Sequence, residues 1–146
     1  MEFDKDFLGK LFEQAVTNPR LRQNFDLRTS PADTSQRMLN ALLPGTKVPI
    51  HRHEDSTETV ICLVGKLEEI IYEEVNEYIY EATSCCGDVT RQRKIKEISR
   101  QILSPAEGKF GIQIPAGAWH TINVIEPSVI FEARTSASSF VMPSPK

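Results

Sequence analysis

The chain has 146 residues, of which 40% are hydrophobic and 25% charged, and its formal net charge is −3. This length predicts one domain, residues 1–146, large enough to bury a core. The slightly acidic balance argues against nucleic acid or an anionic membrane as partner, since both favour strongly basic surfaces. No run of about 18 apolar residues is present and the N-terminus lacks a signal-peptide pattern, so we expect no membrane span and a cytoplasmic location.

The first segment carries apolar residues at helical spacing from Phe3 to Val16, and Asn18-Pro19 then ends the pattern. This spacing predicts one amphipathic α-helix within an N-terminal lead-in of residues 1–36. We expect its phenylalanines to pack on a sheet or on a partner subunit.

From Met38 onward, short runs rich in valine, isoleucine, threonine and aromatic residues alternate with turn signals. Many short strands at this spacing are typical of an antiparallel β-sandwich or barrel, here expected over residues 37–134. The predicted strands are RMLNAL, KVPIHRH, ETVICLV, KLEEIIYEE, YIYEAT, EISRQIL, KFGIQIP, HTINVI and SVIFEAR.

Three further segments are predicted to lie outside the core. The polar stretch 87–100, with the basic run RQRKIK at 91–96, is interpreted as a solvated surface loop, with a hairpin excursion from the sheet as the alternative. The serine- and proline-rich tail, 135–146, is expected to be loosely held. Cys62, Cys85 and Cys86 are odd in number and lack CxxC spacing, so we interpret them as reduced thiols, with Cys62 in the core.

The histidines are the most informative residues of the chain. His51 and His53 are two apart, so on a strand their side chains point to the same face, whereas Arg52 points away. The polar stretch that follows can turn the chain and bring Glu58 back beside them. His120 follows PAGAW, where proline and glycine predict a tight turn onto a new strand.

Imidazole and carboxylate groups suit divalent transition metals, and three histidines with one carboxylate can leave coordination positions open. A polar surface role is the alternative for any one of these histidines.

The spacing of these residues resembles the two sequence motifs of the cupins. Gly45, His51, His53, Glu58 and Gly65 match every fixed position of the first cupin motif. The residues Pro115, Gly117 and His120 match most of the second, with Val124 where asparagine is usual. The resemblance implies a small antiparallel β-barrel of the double-stranded β-helix (jelly-roll) type. It also implies one divalent transition metal, iron, manganese, nickel or zinc, held by His51, His53, Glu58 and His120.

The segments LRQNFDL, QRMLNALLPGT, IQIPAGAWHT and VIFEAR look similar to the WbuC-like cupin-fold metalloproteins. This bacterial family is often encoded in clusters for O-antigen and other surface polysaccharides. The resemblance implies a small-molecule ligand, with a carbohydrate as the first candidate.

Polar residues that could line the barrel are candidates for binding and catalysis. Arg22 and Arg37 carry the donor fork that suits a carboxylate or phosphate, so they are candidate anion ligands. Asn24, Asn40 and Gln113 are further candidate substrate-binding residues. The candidate proton carriers are Tyr72 and Glu132. Arg134 is another polar candidate for the cavity wall.

Three functions are compatible with this pattern. The first is a metal-dependent isomerase or epimerase acting on a sugar or sugar nucleotide, in which the metal polarises a carbonyl or hydroxyl group. The second is an Fe(II)-dependent oxygenase. The third is a non-catalytic carbohydrate-binding cupin.

Edge strands or the N-terminal helix could also pair two chains, so we expect a homodimer.

Overall fold

The structure is a computed structural model that describes residues 1–82, 87–135 and 139–141. In chain order its elements are α1 (Lys5–Thr17), β1 (Arg22–Asp26), β2 (Ser35–Leu42), β3 (His51–His53), β4 (Glu58–Ala82), β5 (Gly87–Leu103), a 3-10 turn (Pro105–Glu107), β6 (Gly111–Ile114), β7 (Trp119–Thr135) and β8 (Ser139–Val141).

The N-terminal helix forms where the apolar spacing predicts it. The side chain of Asp4 caps α1 by accepting a hydrogen bond from the backbone N–H of Phe7 at 2.9 Å. Leu11 and Ala15 are buried against the chain's own sheet. The apolar face of α1 is therefore covered within the monomer. The cluster beneath it consists of Leu39, Ala41 and Val129, with Phe7, Leu8, Phe12, Phe25, Leu27, Leu43 and Phe131 packed around them.

The two long strands β4 and β7 are the centre of one antiparallel sheet. They pair with each other from Thr59↔Ala133 to Tyr72↔Trp119. The other edge of β7 pairs with β2 and, at His51↔His120, with β3. The other edge of β4 pairs with β6 and β5. The predicted mainly β architecture with an N-terminal helix is confirmed.

Several predicted boundaries are different in the structure. Three predicted strands between 58 and 82 form the single strand β4, and two between 119 and 135 form β7. The lead-in, 1–36, contributes β1, which pairs with β2 through Asn24↔Asn40. Pairing with neighbouring strands makes these strands longer than predicted, and the local sequence pattern does not show which strands will pair.

Apolar residues from five strands, β2, β4, β5, β6 and β7, fill the interior. The main cluster consists of Leu42, Val60, Cys62, Leu67, Leu103, Ile114, Val124 and Ile130, which are all buried. Cys62 is thus a free core thiol, as predicted. The register of β4 against β7 shifts between Cys62 and Leu67, and Gly65 lies there at φ +98°. The sheet bends at this position because a β-bulge increases the local twist.

The solvated loop predicted for 87–100 is wrong, and the alternative, a hairpin excursion, is correct. These residues form most of β5, whose outer part pairs with the outer part of β4 in a two-stranded arm, residues 73–82 and 87–97. Lys96 lies opposite Glu73, and Lys94 forms an ion pair with Glu77. The basic run therefore forms a strand because acidic residues of β4 lie opposite or diagonal to it.

Of the C-terminal tail, the structure describes Thr135, which ends β7, and 139–141, which form β8 and pair with β3. This part of the tail is a strand rather than a loose end. Cys85 and Cys86 lie outside the described residues. Within the described ranges, no helix has the length and apolar character needed to cross a bilayer.

Candidate metal centre

Four side chains from three strands converge inside the sheet. His51 and His53 come from β3, Glu58 begins β4, and His120 lies near the start of β7. Each offers one nitrogen or oxygen atom, and these atoms lie within 4.8 Å of one another. His53, Glu58 and His120 are buried and His51 is half-buried. His51, His53 and Glu58 are the residues that the spacing predicted to share one volume, and His120 is the fourth ligand that the cupin resemblance implied.

The backbone holds the imidazoles in defined orientations. Nδ1 of His51 lies 2.9 Å from the carbonyl oxygen of Pro49, and Nδ1 of His120 lies 2.9 Å from that of Ala118. A carbonyl only accepts, so Nδ1 carries the proton in both rings and Nε2 keeps its lone pair. This is the tautomer that a metal ligand requires when it binds through Nε2.

The predicted turn before His120 is present and is tied to the histidine pair. Gly117 adopts φ +81°, and its N–H donates to the carbonyl oxygen of His53 at 2.8 Å. Ala118 N–H donates to the carbonyl oxygen of Pro115 at 3.1 Å. The turn therefore delivers His120 directly opposite His51 in the β3–β7 pair. Arg52 lies away from the cluster, with its guanidinium 4.6 Å from the ring centroid of Trp119.

The pKa values of the cluster residues favour the protonation states in which their side chains can bind a cation. Burial, with the neighbouring His51, lowers the pKa of His120 to about 4. Burial also lowers the pKa of His51. Burial opposes ionisation of Glu58, but the hydrogen bond from His53 and the nearby imidazoles hold its pKa below the usual value. Near neutral pH the cluster thus offers neutral His51 and His120 imidazoles and an ionised carboxylate, the protonation states that metal binding needs.

Unpaired buried atoms show that the cluster fits a metal ion. Nε2 of His120 is buried and has no hydrogen-bond partner among the described residues. Its nearest carboxylate oxygen, Oε1 of Glu58, lies 3.9 Å away, and the other oxygen, Oε2, accepts from Nε2 of His53 at 2.8 Å. A buried polar atom without a partner is costly, and a cation at this point would satisfy it. His51, His53, Glu58 and His120 could therefore hold one divalent metal ion.

A cavity of about 230 Å³ opens beside the cluster. Its walls come from facing positions of β1, β2 and β7. Arg22 and Asn24 are two apart on β1, and Asn24 lies directly opposite Asn40 on β2. The complete lining is Arg20, Arg22, Asn24, Gln36, Met38, Asn40, Val48, His51, His53, Glu58, Glu132 and Arg134.

Three of the candidate residues lie away from this cavity. Arg37 forms an ion pair with Asp33 and does not line it. Gln113 lies on β6, where its Nε2 donates to Oγ1 of Thr59 at 3.4 Å. Tyr72 lies in a separate groove, opposite Trp119 in the β4–β7 pair. The candidates that line the cavity are Arg22, Asn24, Asn40, Glu132 and Arg134.

The structure adds residues that sequence reasoning missed. Gln36 and Met38 line the cavity because they are spaced two apart from each other and from Asn40 along β2, so their side chains share its face. This spacing could have predicted them from the sequence. Glu69 is 2% exposed, and its Oε2 has no hydrogen-bond partner among the described residues. Burial, with the charges of Glu58 and Glu132, raises the pKa of Glu69 well above its usual value.

Comparison with solved structures identifies the fold. A cupin-2 domain protein from Rhodospirillum rubrum matches with a TM-score of 0.51 and 12% identity, over 84% of this chain and 66% of that one. An oxalate oxidase matches with a TM-score of 0.56 and 15% identity, over 87% and 58%. CapF from Staphylococcus aureus, a capsular polysaccharide assembling protein, matches with a TM-score of 0.53 and 15% identity, over 87% of this chain and 33% of that one. The chain spans less than two thirds of each of these proteins, and at these identities the likeness establishes the cupin fold alone.

The sequence comparisons place the chain in a family. No curated protein matches it. A family model described as a domain of unknown function, DUF6016, matches residues 3–83, more than half of the chain, and the chain therefore belongs to that family.

Proposed function

We propose that this protein is a metal-dependent enzyme that modifies a sugar or sugar nucleotide, by isomerisation, epimerisation or a related step. It binds one divalent transition ion, iron, manganese, nickel or zinc, through His51, His53, Glu58 and His120. The observation that carries this proposal is the convergence of these four ligand atoms within 4.8 Å, beside an open cavity. An ion with open coordination positions next to a cavity can contact a bound molecule.

The bound metal would supply Lewis-acid polarisation of a carbonyl or hydroxyl oxygen of the ligand. The protein must then move the proton, and all three histidines are committed to the cluster. Glu132 lines the cavity, and burial together with the nearby Glu58 raises its pKa to about 8. Its carboxyl group lies in the cavity lining, where it can exchange a proton with a bound ligand. We propose Glu132 as the proton carrier, in preference to Tyr72 in the separate groove.

The test is the metal content of protein purified without chelator or a histidine tag. We expect about one equivalent of a transition metal in the wild type and its loss in the double variant His53→Ala with Glu58→Ala. Glu54→Ala is the matched control, because Glu54 is an exposed neighbour that pairs with Arg52 instead of joining the cluster. Far-UV circular dichroism checks that every variant is folded. Absence of metal from the wild type, even after reconstitution with each ion, would contradict the proposal.

Two other functions have separate tests. The cavity beside the cluster leaves room for a second small ligand, which favours an Fe(II)-dependent oxygenase as the second candidate. Oxygen consumption by the iron-loaded protein, absent with zinc, would support it. Tight binding of a carbohydrate without turnover in any metal form would instead support a non-catalytic carbohydrate-binding role.

We place this activity in the cytoplasm, in the biosynthesis of surface polysaccharides such as O-antigen. The WbuC-like resemblance and the structural likeness to CapF, a capsular polysaccharide assembling protein, support this assignment. A strain without the protein should show altered surface polysaccharide. Unchanged polysaccharide in that strain would count against the assignment.

A homodimer is also proposed. Tyr78, Tyr80 and Val89 on the two-stranded arm are each at least 64% exposed. Two-stranded ribbons are marginally stable alone, and a second copy could cover this apolar surface. The mass measured by light scattering should equal two chains, and a one-chain mass at micromolar concentration would contradict the proposal.

A further inference from the structure

The cavity beside the metal cluster has a positive charge balance of its own. Three arginines line it, Arg20, Arg22 and Arg134, against the two acidic residues Glu58 and Glu132. The net charge of these five side chains stays positive whether or not Glu132 is ionised. A bound divalent cation would add to it, so the cavity favours an anionic ligand.

Arg22 is the arginine best placed to hold that anion. It is half-buried on β1, and its Nη1 donates to the carbonyl oxygen of Lys47 at 3.0 Å. This bond fixes the guanidinium and uses one of its five donors, so the others can serve a ligand. Burial lowers the pKa of Arg22, and the like charge of Arg20 lowers it further. An anion between the two guanidinium groups would remove that repulsion.

Arg134 occupies another part of the lining. Its Nε lies 3.8 Å from Oε2 of Glu58, so its charge faces the carboxylate of the metal cluster. Gln36, directly opposite it on β2, also lines the cavity. Arg134 is therefore shared between the metal cluster and the cavity, whereas the hydrogen bond of Arg22 goes to Lys47, outside the cluster.

Asn40 is a further polar residue of the lining, and it favours a ligand that carries hydroxyl groups. Its Oδ1 is buried and has no hydrogen-bond partner among the described residues, and the side chain lines the cavity directly opposite Asn24. A buried amide oxygen of this kind is normally satisfied by a donor. A hydroxyl group of a bound molecule would provide that donor.

The volume limits the size of the ligand. About 230 Å³ is below the roughly 300–1,000 Å³ of pockets that take drug-sized molecules. One sugar ring, or an open chain of similar length, matches this space better than a sugar nucleotide does.

We propose that the cavity binds a hydroxylated organic anion of single-sugar size, its carboxylate or phosphate held by Arg22 and Arg20 and one hydroxyl by Asn40. The inference rests on the proposed function. It narrows the ligand from sugars and sugar nucleotides to small anionic sugars.

Isothermal titration calorimetry of the metal-loaded protein tests this with D-glucuronate, D-glucose 1-phosphate, D-glucose and UDP-glucose. We expect at least one of the two single-sugar anions to bind about 10- to 100-fold more tightly than glucose, as charge-assisted hydrogen bonds predict. The stronger of the two identifies a carboxylate or a phosphate ligand. UDP-glucose should bind more weakly than that anion.

Arg22→Gln should weaken binding of the anion about 10-fold or more and leave that of glucose unchanged. Arg28→Gln is the matched control, since Arg28 follows β1 but pairs with Asp26 outside the cavity. Circular dichroism and melting temperatures establish that both variants are folded.

Three results would overturn the inference. These are glucose or UDP-glucose binding at least as tightly as both single-sugar anions, no binding of either anion at millimolar concentration, and an equal loss in Arg28→Gln. Elemental analysis of the same samples distinguishes failure of this inference from failure of the proposed function. Protein that holds metal without preferring anions contradicts the inference alone, whereas protein that cannot be loaded contradicts the proposed function.

Discussion

The substitution Glu69→Gln should stabilise the metal-free protein, and increasingly so as the pH rises. Glu69 is 2% exposed on β4, and its backbone partner across the sheet is Ile122 of β7. Burial, with the charges of Glu58 and Glu132, raises its pKa well above the usual value in the folded chain. When the chain unfolds above that usual value, Glu69 releases its proton to water.

The sign and size of the effect follow from proton linkage. Because the folded state binds the proton more tightly, the free energy of unfolding of the wild type falls as pH rises from about 4.5 toward the folded pKa. One proton changes this free energy by about 1.4 kcal/mol per pH unit within that window. Glutamine has nearly the same shape and no proton to lose. The stability gained by Glu69→Gln should therefore grow by about 1.4 kcal/mol per pH unit.

The assay is urea unfolding of both proteins in chelator, at several values between about pH 5 and 7. Equal m-values establish that both proteins expose the same amount of surface when they unfold. Glu81→Gln is the control, because Glu81 lies exposed on the arm and loses the same charge. A stability difference for Glu69→Gln that is constant with pH, or that shrinks as pH rises, would show that Glu69 is ionised in the folded protein and would refute the reasoning.

Three further predictions concern the fold and the cluster. Gly65→Ala should lower the free energy of unfolding by roughly 1–3 kcal/mol or more, because Gly65 lies at φ +98° and a Cβ there would collide with Pro127; urea midpoints measure this. Ile130→Ala should cost about 2–5 kcal/mol in the same assay, since Ile130 is fully buried. In NMR titrations of metal-free protein, the His120 imidazole should titrate near its pKa of about 4, and its contribution to stability should be lost as pH falls from about 6.5 toward 4; titration of that ring near 6.5 would contradict the predicted burial effect.

Part of the cluster could be predicted from the sequence because the geometry of its histidine pair is local. Two histidines at i and i+2 of a strand share a face whatever the strand pairs with. The turn at Pro115 and Gly117 is equally local, and the structure shows it placing His120 opposite His51. The further step, that His120 joins His51, His53 and Glu58, rests on the resemblance to the two cupin motifs.

The cavity wall could be predicted only in part, because it depends on which strands pair. Asn24 and Asn40 meet because β1 lies beside β2, and local patterns do not contain that pairing. Alternation along β2 would still have excluded Arg37 from the wall, since it lies three residues from Asn40 and so points to the other face. The same alternation from Leu67 places Glu69 inside, although its charge argued for solvent.

The pairing of β7 with three strands has a consequence for how the chain folds. β2, β3 and β4 precede β7 by many residues, yet each pairs with it. Contacts between distant segments slow folding, and on the ribosome these strands emerge before their common partner does. His51 and His53 are likewise synthesised well before His120. The four side chains of the cluster can therefore come together only after β7 has been made.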